Sequence, residues 1–296
     1  MIRVGISGWM YAGWRGTFYP QDLKQNKELY YASRKVSSIE INGTFYSLQA
    51  PSSYERWYET TPDDFKFSVK ANRYITHFDR LEDPVVPMAN FFASGLFNLK
   101  QKLGPILWQF PPSFSFEPDQ LERFFKLLPR DQIEASKLAA KNHQLDKKRS
   151  FLKALDYPMR HAIEIRNKSF LNPWFTDLLR EYNVSLVFAD SAGKYPYMED
   201  VTSDFIYIRL HGESELYVSG YDDHSLNWWK KRIQHWHHGG EPIDKITISE
   251  EVPKRLDRDV FVYFDNDAKV RAPFDAMRLA KKLGPEAAPI SEISTY

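Results

Sequence analysis

A chain of 296 residues, 43% hydrophobic and 16% aromatic, can bury a large core and falls outside the disordered classes. Its 40 Lys and Arg against 39 Asp and Glu leave a net charge of +1, which excludes a global pull toward duplex nucleic acid or anionic membrane but not a local basic pocket. The absence of cysteine excludes disulfides, cysteine zinc sites and thiol nucleophiles.

The first residues, Met1-Ile2-Arg3-Val4-Gly5, begin a strand pattern at once and lack the apolar core of a signal peptide. No apolar run approaches the length of a bilayer span. A cytoplasmic protein with no membrane partner is therefore expected. Short apolar, β-rich runs then recur in chain order: Arg3–Trp9, Ser38–Phe45, Phe65–Ala71, Pro105–Phe110, His161–Arg166, Val184–Asp190, Phe205–His211 and Val260–Asp267. Between them lie segments long enough for helices. Leu121, Phe124, Phe125 and Leu128 form one helical stripe. Leu226, Trp229, Ile233 and Trp236 form another, with Gly239-Gly240 as its C-terminal cap. A third, around Phe274, Met277 and Leu279, stops at Gly284-Pro285. Eight strands alternating with helices predict a single (β/α)8 barrel over residues 1–284, with 285–296 as a loosely held tail. An open doubly wound sheet is weakened because no G-x-G-x-x-G follows the first strand.

The predicted strands share a pattern. Ile163 and Ile165 alternate with Glu164 and Arg166. Ile39 and Ile41 alternate with Glu40 and Asn42. Phe67 and Val69 alternate with Lys66, Ser68 and Lys70, and Ile208 and Leu210 with Arg209 and His211. Strand side chains alternate faces, so one face of each strand is apolar and the other turns polar toward its C-terminal end. Barrel enzymes carry their sites at that end. Glu40, Lys70, Gln109, Glu164, Arg166, Arg209 and His211 are thus expected in one charged pocket. Asp190, Asn266 and Asp267 end their own strands beside it, and Trp9 and Tyr11 follow the first. A purely structural salt-bridge layer is the competing account.

Other chemistry is poorly supported. His211 is the only histidine that ends a strand; Glu40, Glu164, Asp190 and Asp267 could hold a hard cation such as magnesium, but the interspersed Lys and Arg oppose it, so no metal and no cofactor are expected. His235, His237 and His238 read as a solvated helix end. Gly5-Ile6-Ser7-Gly8-Trp9 lacks the closing glycine of a nucleophile elbow, and no phosphate-binding loop appears.

The stretches "VGISGWMYAGWRGTFYP", "SSIEINGTFYSL", "FKFSVKANRYITH", "LGPILWQFPPSF", "HAIEIRNKSF", "FIYIRLHG" and "VYFDNDA" resemble, in that order, the DUF72 or YecE-like family. They span residues 4 to 268. The resemblance implies a TIM-type barrel and supplies no reaction. Its recurrent positions fall on Trp9, Tyr11, Trp14, Glu40, Asn42, Phe45, Tyr46, Lys70, His77, Gln109, Pro111, Glu164, Arg166, Asp190, Arg209, His211, Gly212, Asn266 and Asp267. Two departures stand out. Asn167 occupies the place of a family histidine, with Phe170 where a tryptophan is usual, and Gly43 opens the usual Ser-Thr-Phe-Tyr piece.

The residues suggest an enzyme on a small anionic or phosphorylated ligand. Arg166 and Arg209 offer planar forks for phosphate or carboxylate. Glu164 and His211 would transfer protons, with Lys70 a weaker nucleophile candidate. Trp9, Tyr11, Glu40, Asn42, Gln109, Asp190, Asn266 and Asp267 would complete the binding set. The alternative is a nucleic-acid-binding barrel for single-stranded or flipped nucleotides, because aromatics lie beside the basic residues.

Overall fold

In the computed structural model, residues 1–142, 156–249 and 257–290 are described. The strands are β1 Ile2–Ser7, β2 Ser38–Ile41, β3 Lys66–Lys70, β4 Leu103–Gln109, β5 His161–Glu164, β6 Ser185–Asp190, β7 Phe205–Leu210 and β8 Asp259–Phe264. They neighbour one another in chain order around a closed barrel, and the pairs with described register are parallel. All eight predicted strands are present. The main difference is at the C-terminal ends: β6 ends at Asp190 as predicted, and the other seven strands leave the sheet one to four residues early. Gly43–Tyr46 forms a helical turn where Ser38–Phe45 predicts strand.

The chain sorts into two compact units, Met1–Glu40 with Leu171–Tyr296, and Ile41–Phe170. In the first, Ile2, Val4 and Ile6 of β1 and Val260, Val262 and Phe264 of β8 are all buried. The helix Asp223–His237 buries Leu226, Trp229, Ile233 and Trp236 as its spacing requires. It ends in a Schellman arrangement: Gly240 N donates to His235 O, Gly239 N donates to Trp236 O, and Gly239 takes φ +78°. His237 Nδ1 lies 2.6 Å from Arg258 O and His238 Nε2 2.9 Å from Glu286 Oε1, so these rings fasten the helix end.

The third predicted helix forms and stops at Gly284, but its buried face differs in part from the expected one. The helix Arg271–Leu283 buries Ala272, Ala276, Leu279 and Leu283, while Phe274 is 38% exposed. Ala272 and Ala276 together with Leu279 and Leu283, and not Phe274, form its buried face. The tail is also tied down over its described part. Ala287 bridges to Ile2, and Ala288 is buried and donates its N–H to Ile2 O.

The segment between β6 and β7 contains no helix among its residues 191–204. Its buried carboxylates instead satisfy backbone N–H groups of residues 246, 248 and 249 and the Arg232 side chain. Glu199 accepts from Ile246 N and Arg232 Nη1, and Asp200 accepts from Ile248 N and Ser249 N.

In the second unit, β3 and β4 are packed by aromatic side chains. Trp108 meets Phe91, Phe92 and Phe124, and the helix Pro118–Leu127 buries Leu121, Phe124 and Phe125. His161 is buried. It accepts from Trp108 Nε1 at 3.1 Å through Nδ1, which leaves Nε2–H for Pro129 O at 2.7 Å. That tautomer satisfies both ring nitrogens in the neutral state.

Candidate active site

Two groups of polar side chains occupy the strand ends, one in each unit. In Met1–Glu40 with Leu171–Tyr296, the centre is Arg209 of β7, 1% exposed. Its Nη2 donates to Glu40 Oε1 at 2.8 Å and to Asp265 Oδ2 at 2.9 Å. Glu40 is fully buried and also accepts from Ser7 Oγ at 2.9 Å and from Tyr207 OH at 2.6 Å. Each of these residues lies where strand alternation places it: Ser7 on β1, Glu40 on β2, Tyr207 and Arg209 two apart on β7. His211, fully buried, continues that face. Its Nδ1 lies 3.0 Å from the same Asp265 oxygen, and its ring meets Tyr217 edge-on. Asp265 therefore fixes His211 and receives Arg209 at one atom.

The remaining predicted residues of this unit divide. Asp267 lies beside Asp265, and its carboxyl is pushed well above the usual carboxylate range by burial and then by the Asp265 charge. Asp190 accepts from Tyr221 OH at 2.9 Å, and burial raises its carboxyl too. Asn266 points elsewhere. Its Nδ2 donates to Ser219 O and to Asp275 Oδ2, which anchors the loop after β7 to the helix Arg271–Leu283. Trp9 is buried and its carbonyl accepts from Tyr19 OH, while Tyr11 donates to Ser7 O at 2.5 Å and lies over Gly8.

In Ile41–Phe170, Glu164 of β5 is fully buried. Its Oε1 accepts from Gln109 Nε2 and from Arg166 Nε, both at 2.8 Å. Lys70 Nζ sits 4.2 Å from the centre of the Phe45 ring, and the other side of this cluster is His77, edge-on to Phe45 at 5.0 Å. His77 is pushed down to about 4, first by burial, then by the charges of Lys70, Arg166 and Arg73, with Glu164 acting the other way. Burial first, and the neighbouring cations second, favour the neutral imidazole. Asn42 is half-buried, its Oδ1 without a hydrogen bond. Asn167 donates to Pro112 O at 2.7 Å and accepts from Ser169 N, so it shapes a turn.

Several contributors escape the sequence reading. Asp265 is the clearest. Tyr263 faces inward to Ser38 Oγ and the Tyr207 ring, and the residue two along must share that face. Alternation along "VYFDND" was thus the available signal. Ser7 and Tyr207 follow by the same rule. Arg73, Tyr74 and Phe78 lie in "KANRYITHF", whose basic and aromatic residues alternate irregularly and carry no strand or helix period.

The sequence model of the family described as "Protein of unknown function DUF72" matches residues 3–295. The chain is 25% identical over 288 residues to the UPF0759 protein YunF of Bacillus subtilis (strain 168), covering 90% of this chain and 89% of that one. A crystal structure of a DUF72 family protein from Thermotoga maritima superposes with a TM-score of 0.72 at 25% identity, covering 96% of this chain and 99% of that one. One from Enterococcus faecalis gives 0.68 at 17% identity over 100% of both chains and speaks for the fold alone.

Proposed function

This chain belongs to the DUF72 family, and from that premise we propose that it is an enzyme acting by proton transfer on a small anionic, phosphate-bearing substrate. The observation that carries this reading is the cationic group around His77. Lys70, Arg73 and Arg166 all bear on that ring. Arg73 has no carboxylate partner among the described residues; its guanidinium lies 5.4 Å from the centres of the Tyr46 and Phe78 rings. A guanidinium held by ring faces keeps its N–H fork for an incoming oxyanion. Arg166 brings a second fork, braced through Nε by Glu164.

Glu164 is the proton-transferring carboxyl of this unit, buried and oriented by Gln109 and Arg166. His77 joins it once ligand is bound, because a bound anion offsets the cations that hold the imidazole neutral. The first unit, Met1–Glu40 with Leu171–Tyr296, has its own proton-transfer pair, His211 with Asp265. With Nδ1 committed to the carboxylate, transfer at His211 falls to Nε2.

The test is anion binding at low salt, by calorimetry and thermal shift, with inorganic phosphate and sugar phosphates. Binding to the wild type and a loss of about tenfold or more in Arg73→Gln are expected, since a charged hydrogen bond is worth roughly 1.5–3 kcal/mol. Arg73 holds no buried carboxylate in check, so the variant keeps its fold. A wild type that binds no phosphate-bearing compound would defeat the reading.

A further inference from the structure

We propose that the phosphate-bearing ligand is a mononucleotide, with its base on Tyr74 and Phe78 and its phosphate at Arg73. This rests on the cationic group being the anion site and adds what the rest of the ligand must be. Three aromatic side chains stand in water around Arg73: Tyr46 is 65% exposed, Tyr74 56% and Phe78 63%. Large rings clustered in solvent mark binding surfaces, whereas single ones do not. Nothing in the packing of the unit requires them to be outside. Their neighbours Ile75 and Thr76, on the same turn, are buried.

The backbone that displays them is unusual. Tyr74–Phe78 is a π-helical turn, closed by Asp79 N donating to Tyr74 O at 2.8 Å. Such turns are rare and concentrate at functional sites. This one sets the Tyr74 and Phe78 rings 6.3 Å apart, tilted by 49°. Arg73 borders one of these rings, Phe78, and the nearby Tyr46. An aromatic face beside a guanidinium with no carboxylate partner among the described residues suits a ligand with a flat π-system and a phosphate, and a sugar phosphate offers only half of that.

A cavity of about 500 Å³ opens on Tyr74. Tyr74, Ile75, Val86 and Pro87 supply apolar wall, and Asp79 and Asp83 supply carboxylates. That size suits one small ligand. The carboxylates repel a phosphate, so the cavity takes the uncharged end of the ligand and leaves the phosphate to Arg73. The chain's net charge of +1 and the compact cationic group favour a single nucleotide over an extended strand.

The experiment compares AMP, ribose 5-phosphate, inorganic phosphate and a single-stranded oligonucleotide by calorimetry on the wild type, Tyr74→Ala and Phe78→Ala. Both rings are exposed, so the variants fold; their thermal melts verify it. AMP is expected to bind at least tenfold more tightly than ribose 5-phosphate. Each ring deletion should remove about five- to tenfold or more of that advantage while leaving ribose 5-phosphate affinity unchanged. Equal affinity for AMP and ribose 5-phosphate would overturn the nucleotide assignment and leave the anion site standing. Binding of the oligonucleotide without AMP would overturn it in favour of a nucleic-acid surface. Failure of all four probes would remove the anion site as well.

Discussion

Arg209 carries more of this protein than any other charged residue. It is buried to 1% exposure, yet its Nη2 meets two carboxylates from two other strand ends, Glu40 and Asp265. A pair taken this far from water is held by geometry, and removal of one partner strands the other. Arg209→Met should therefore lower stability by about 3–5 kcal/mol, because Glu40 keeps only the Ser7 and Tyr207 hydroxyls from this set. A urea titration read by fluorescence reports this as a shift in midpoint at constant slope. A stability within about 0.5 kcal/mol of wild type would mean that the buried Arg209–Glu40 pair makes no net contribution. The same burial argues that Arg209 positions Asp265 and His211, while half-buried Arg73 is the better ligand contact.

At the scale of elements, β1 shows how tightly two strands approach. Gly5 pairs with Ser38 of β2, and a Cβ at Gly5 would lie 2.0 Å from Ser38 O. The obstacle is backbone, so it cannot rotate away. Gly5→Ala should force the pair apart and cost about 1–3 kcal/mol, the usual range for overpacking. Because Ser38 also bonds Tyr263, the strain is expected to reach Tyr263 on β8. Thermal unfolding of the alanine variant checks the first claim, and an unchanged Tm would refute it. The π-helical turn is the opposite case, an element shaped for display. It buries Ile75 but turns its two aromatic rings, Tyr74 and Phe78, to water, where an ordinary helix would bury them.

For the molecule as a whole, the pH dependence of stability has two opposing parts. His77 and His161 are both pushed down to about 4, with burial the largest cause in each. Between their unfolded pKa near 6.5 and about 4, the unfolded chain binds protons that the folded chain refuses, so stability falls as pH falls through that window. Below it these two groups contribute no further slope. Buried Asp190, Glu199, Asp200 and Asp275 act in reverse, since burial raises each of them and protonation favours the folded form. His77→Asn removes one histidine and leaves the rest. The variant should lose less stability than wild type between pH 6.5 and 4.5, measured by urea titration at each pH. Parallel losses would place the His77 pKa near its ordinary value.

The eight strands were legible in the sequence because period-two alternation is a local property, written residue by residue as in Ile163-Glu164-Ile165-Arg166. The helix Asp223–His237 was legible for the same reason, down to the Gly239-Gly240 stop. Alternation also marked Glu40, Glu164 and Arg209 as polar positions on an otherwise apolar strand. What it could not supply was partnership. That Arg209 meets Asp265, and that Asp265 holds His211, depends on which strands lie side by side and in what register. Asn266 and Asp267 are sequence neighbours, yet one turns to the helix Arg271–Leu283 and the other to the Asp265 carboxylate, because the chain leaves the β8 ladder after Phe264. Arg73, Tyr74 and Phe78 came together through a π turn that has no periodic signature. Pattern fixes which face a side chain takes, and only the closed packing of distant segments decides what it meets there.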